Sequence, residues 1–198
     1  MEDLYGFETG EAKRDNARTL HPTQPPFAFG SGGWWVLTFG KGENEMGLTL
    51  EFIAGDKARL VTAFQECDLD AFDDPAIAVA KADLSLHILP KDLNTLSLVL
   101  AKFNGQSPID LRSHLTVLAD EAGAGMLDVD DKWVAYAAAV PSGRAAEISE
   151  AWAERMRMEY NDPDTQATES MRASVEDLIS LCKTASQGKL SVVHAWNG

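Results

Sequence analysis

Four histidines, His21, His87, His114 and His194, are the side chains best suited to moving protons near neutral pH. No two stand four residues apart and no HExxH occurs, so the spacing that sets two imidazoles on one zinc ion is missing. His87 and His194 both fall in stretches that read as β-strand. Neighbouring strands would bring the two rings together, and the pair could then act as general acid and general base. The plainer reading of each is an ordinary strand histidine. Nucleophilic chemistry is poorly served, since no GxSxG elbow is present. Cys67 sits beside acidic residues that disfavour its thiolate. Cys182 falls on the apolar side of a predicted helix, where a thiol is inert. Two cysteines without a CxxC pair are too few for a disulfide framework. No metal and no cofactor are expected.

The carboxylates are more distinctive. Acidic runs occur at 66–74, with Asp68, Asp70, Asp73 and Asp74, and at 120–131, with Asp128, Asp130 and Asp131. Taken as a calcium loop starting at Asp68, the first run puts Asp73 where a glycine is required and Val79 where the chelating glutamate belongs. Residues 128–131 read as a solvated loop followed by a helix cap. The glycines at 30, 32 and 33 precede a strand and not a helix, so they form a turn and not a phosphate cradle. Trp34 and Trp35 come next. Alternation puts one ring on each face of a sheet, and a tryptophan left uncovered would be a strong anchor for a protein partner. Asp68, Asp70, Asp73, Asp74, Asp128, Asp130, Trp34 and Trp35 are therefore the candidate partner-binding residues.

The chain has 31 acidic and 17 basic side chains, a net charge of −14. Affinity for nucleic acid comes largely from cations that displace counterions from phosphates. Here no basic cluster exceeds Lys13 and Arg14 with Arg18 nearby, so nucleic acid is not an expected partner. Anionic membranes are disfavoured for the same reason. A basic protein would be attracted and its association accelerated. No run approaches the ~18 apolar residues of a membrane span. The opening MEDLYGFETGEAKR lacks the apolar stretch of a signal peptide. A cytoplasmic protein is expected, with homo-oligomer formation open.

These side chains need a scaffold. A chain of 198 residues with 45% hydrophobic content suits one domain with its own core. Residues 1–33, interrupted by Pro22, Pro25, Pro26 and the glycines, read as an irregular arm, and residues 34–198 as a single domain. Residues 34–39 and 48–53 read as strands of a long-looped antiparallel hairpin. Residues 56–66 fit a helix or a strand. Residues 83–88 alternate strictly, as a strand does. Pro90 opens a predicted helix to about Phe103, with Leu93, Leu96, Leu100 and Phe103 on one stripe. Ser107-Pro108 signals another, with Leu111, Leu115, Leu118 and Ala122 on one face and Gly123 at its end. Asp131 can cap a short helix through Trp133 and Tyr136. Pro141-Ser142 starts a helix to about Tyr160, stopped by Asn161-Asp162-Pro163. Met171, Val175, Leu178, Cys182 and Ala185 give a helical stripe within 165–187, and Gly188 follows. Residues 190–196 read as a closing strand. The order of elements predicts an α+β fold: a small, mostly antiparallel sheet packed by several helices, with the C-terminal strand returning to the sheet.

High negative charge without a catalytic constellation points to a non-enzymatic protein-binding module. Such a chain would be an acidic inhibitor or immunity-type protein that neutralises a basic partner. The alternative expectation is an enzyme with a site near His87 and His194.

Overall fold

The closing strand, rich in β-branched residues, becomes the middle of the sheet. The computed structural model describes residues 27–29, 35–37, 49–86 and 90–197. In chain order these form β1 (Phe27–Phe29), β2 (Trp35–Leu37), β3 (Thr49–Gly55), α1 (Lys57–Gln65), β4 (Ala78–Asp83), α2 (Pro90–Asn104), β5 (Leu115–Glu121), β6 (Ala124–Val129), α3 (Asp131–Ala138), α4 (Ala145–Tyr160), α5 (Glu169–Gly188) and β7 (Ser191–Asn197). Among the described residues, five strands make one antiparallel sheet in the order β4-β3-β7-β6-β5, and β1 and β2 form a separate antiparallel pair. The fold is α+β, as the sequence predicts. Val192, Val193, His194 and Trp196 of β7 are all buried, as a strand covered on both faces requires.

Alternation divides the strand residues between two layers. Leu50, Phe52, Leu127, Val129, Val192 and Trp196 face a core built with Leu96 and Leu100 of α2, Trp133 of α3, Trp152 of α4 and Val175 and Leu178 of α5. Ile53, Met126 and Val193 face the other way, onto Leu60 and Ala63 of α1 and onto Phe72. The polar tips of Trp133, Tyr136 and Trp152 are satisfied. Trp133 donates to Ser97 Oγ at 2.8 Å, Tyr136 to the Ser97 carbonyl at 2.7 Å and Trp152 to the Asp92 carbonyl at 3.0 Å. Two glycines are fixed by close approach. A Cβ on Gly125 would stand 2.0 Å from the Trp196 ring, which lies over it from the neighbouring strand, and one on Gly55 would meet the Ile77 carbonyl oxygen at 1.9 Å.

The long helices follow from their one-sided apolar stripes. Met171, Val175, Leu178, Cys182 and Ala185 of α5 are all buried, as their spacing predicts. Thr168 starts this helix by accepting the Met171 amide, so Ser174 and Asp177 lie inside a helix already begun. It ends with Lys189 in the left-handed region (φ 52°), one residue past Gly188. Asn161 (φ 50°) ends α4 in the same way. Residues 56–66 resolve as α1, because Asp56 accepts the amides of Ala58 and Arg59.

Several local expectations are corrected. β3 does not pair with the 34–39 segment; its neighbours are β4 and β7. β2 pairs instead with β1, which covers the described residues 27–29 of the 1–33 segment. The strand expected at 83–88 ends at Asp83, whose side chain accepts the Ser85 amide and turns the chain. The helix expected from Ser107 to Gly123 is instead a 3-10 turn (Leu111–His114) and the β5–β6 hairpin. A bulge between Val117 and Ala119 explains that error. It shifts the alternation by one residue, so the half-buried Leu115, Leu118 and Ala119 acquire a spacing that mimics a helix. Asp128 accordingly lies in a strand and not in a loop, and the residue that caps α3 is Asp130, one before the expected Asp131.

Candidate partner-binding surface

The first acidic run is shaped by what it buries. After α1 the backbone turns at Cys67 (φ 55°) into a 3-10 turn at Leu69–Asp73. Ala71 and Phe72 sink into the α1-side core, which leaves Asp68 and Asp70 exposed. Asp73 pairs with Lys81 at 2.8 Å, and Asp74 accepts the Ala76 amide at 2.8 Å. Among the described residues, Asp68 and Asp70 have no hydrogen-bond or ion-pair partner for their side chains.

The second acidic group is more committed to structure. Asp128 receives Lys57 at 3.1 and 3.2 Å, tying β6 to the first turn of α1. Asp130 accepts the Lys132 amide at 2.7 Å as the cap of α3, and its carboxylate is 3.7 Å from His114 Nδ1. Asp120 and Glu121 stand exposed at the end of β5, beside the turn into β6. They belong to the acidic run seen in the sequence, but their place on a sheet edge was hidden while the segment read as helix. Trp35 opens β2 opposite Phe29. Trp34 lies outside the described residues.

Much of the cationic charge is consumed internally. Besides Lys57 and Lys81, ion pairs join Lys91 to Glu159, Arg112 to Asp110, Arg144 to Glu147, Arg157 to Glu154 and Arg172 to Glu150. The Arg112 guanidinium holds the Asp110 carboxyl below the usual carboxylate range. Lys132, Arg155 and Lys189 are exposed and outside these pairs, so unpaired charge of both signs reaches solvent, while carboxylates outnumber cations in the sequence, 31 to 17.

The histidine candidate that is described, His194, has a different environment. His194 is buried in β7, stacked on Phe52 at 4.6 Å and tilted against Trp196 at 6.4 Å, with Nδ1 3.1 Å from the Glu51 carbonyl oxygen. Burial pushes its pKa down to about 4, with the Glu51 carbonyl pulling weakly the other way. Its ring is walled off from solvent. His87 lies outside the described residues. Cys182 is buried, which pushes its thiol up to about 12, while Cys67 is exposed.

One polar cluster escaped the sequence reading. Asp92, in the first turn of α2, is buried, and Tyr160 at the end of α4 donates to its Oδ1 at 2.5 Å. Burial raises the Tyr160 pKa, and Asp92 raises it further. The two positions are 68 residues apart, so no local pattern announces the pair. Among the described residues no group of three histidine, cysteine or carboxylate side chains could hold a metal ion. Among them, too, no helix is long and apolar enough to cross a membrane.

The fold and its surface thus define an acidic α+β protein. Comparison with family models, with curated proteins and with solved structures finds no match to this chain.

Proposed function

We propose that this chain is a non-enzymatic protein-binding module that neutralises a basic protein partner, in the manner of an inhibitor or immunity protein. The observation that carries this reading is the pair Asp68 and Asp70. Both are held in solvent by the burial of Ala71 and Phe72 beside them, and among the described residues neither forms an ion pair with a cation. Carboxylates on a turn anchored by buried side chains lose little conformational freedom on binding. The net charge of −14 adds long-range attraction for a cationic surface.

Affinity capture from native lysate at low and high salt, with wild type and an Asp68→Asn/Asp70→Asn double variant, tests the reading. A basic protein retained at low salt, released at high salt and captured less by the variant is expected. Capture that ignores both salt and the substitutions would overturn the electrostatic basis.

A further inference from the structure

We propose that the outer edge of β5 is the docking strand of this module, and that an extended segment of the basic partner adds to it as a further strand of the sheet. This rests on the binding reading above and narrows it to one edge.

Among the described strands, β5 is an edge strand with a neighbour on one side only, β6. The Asp130 amide donates to the His114 carbonyl at 2.9 Å, so residues 114 and 130 form a hydrogen-bonded pair. Such pairs alternate with non-hydrogen-bonded ones along an antiparallel ladder. Leu115 opposite Val129 and Val117 opposite Leu127 are then non-hydrogen-bonded, with their N–H and C=O groups pointing away from β6. Among the described strands none lies beyond β5 to take them.

The two edges of the sheet differ in their protection. β4 carries Lys81, tied to Asp73, and Asp83, and charges of this kind deter pairing at an edge. The middle of β5 carries none. Val117 is 46% exposed, as is Val79 of β4 at 50%, so the difference between the edges lies in their charges. Leu115, Val117 and Asp120 share one face of the strand, since their partners Val129, Leu127 and Gly125 lie toward the helical core. The bulge after Val117 limits the pairing to residues 115–117, and beyond it the exposed Asp120 and Glu121 await charge.

Charge decides the occupant. A second copy of this chain would bring another −14 to the same edge. A segment with an apolar residue beside Val117 and a lysine or arginine beside Asp120 and Glu121 fits both features. Main-chain pairing supplies affinity in such strand addition, and the alternate side chains supply selectivity.

The test is an amide NMR titration of the full chain at low salt with the synthetic peptide Lys-Val-Lys-Val-Thr-Val-Lys. The Leu115 and Val117 amides are expected to shift. Val117→Pro removes an outward N–H and no ladder bond, so it should abolish those shifts and leave the remaining spectrum as in wild type. If that variant does not fold, Val117→Lys keeps the backbone and should weaken the peptide several-fold by repulsion. Binding with shifts confined to 66–74 and unchanged by either substitution would overturn the edge assignment and leave the binding reading standing. No shifts anywhere would count against both. Slow hydrogen exchange at Leu115 and Val117 in the free chain would show the edge already covered, by this chain's own residues or a second copy, and would also overturn the proposal.

Discussion

His194 occupies a site with almost nothing to stabilise a charge. Its ring lies between Phe52 and Trp196, and its described hydrogen bond is to a backbone carbonyl. The folded-state pKa of about 4 sits below the ordinary imidazole value of 6.5. As pH falls, the unfolded chain therefore takes up the proton first, and unfolding is favoured. Stability from this residue is fully present above about 6.5 and is lost progressively toward about 4, by up to about 3 kcal/mol. Urea unfolding at a series of pH values should show that slope in wild type and its loss in His194→Phe. Asp110 and Asp162, with pKa values lowered below the carboxylate range, lose their contribution only at lower pH, so the windows separate. A flat wild-type profile between pH 6.5 and 4.5 would show that the ring is solvated.

At the scale of elements, α5 and β5 show what a linear pattern can and cannot carry. α5 packs along one side against β3 and β4 on the sheet and against α3 and α4, so burial repeats with the helical period. Leu178 is 1% exposed in that stripe. Leu178→Ala should cost about 2–5 kcal/mol, since the surrounding core cannot fully close over the space. Equilibrium unfolding checks this, and a loss below about 0.5 kcal/mol would mark the position as surface-like. β5 has no such regularity. Its bulge breaks the two-residue alternation, and only its pairing with β6 discloses it as a strand.

For the molecule as a whole, the last residues decide whether there is a sheet. β7 pairs with β3 on one side along Thr49–Gly55 and with β6 on the other along Ala124–Val129. Deleting residues 190–198 would strip both neighbours of their partner, expose two strand edges and uncover Phe52, Met126 and Leu127. A truncated chain should fail to accumulate in soluble form. If it folds with an unchanged thermal transition, the central placement of β7 is refuted.

The sequence by itself determined the α+β class, the helices α2, α4 and α5, the burial of the α5 stripe and the β-strand that closes the chain. Each is a local pattern imposed by one-sided or two-sided burial, and such patterns survive in the linear order of residues. It also determined the excess of carboxylates, but not which of them remain free. Only the tertiary structure decided that Asp73 and Asp128 are bound to lysines, that Asp130 caps a helix and that Asp68 and Asp70 are left in solvent. Strand order, the bulge in β5, the Asp92–Tyr160 contact and the enclosure of His194 also belong to the tertiary structure. They depend on contacts between residues far apart in the chain, 143 positions in the case of Glu51 and His194, and no spacing rule reaches that far.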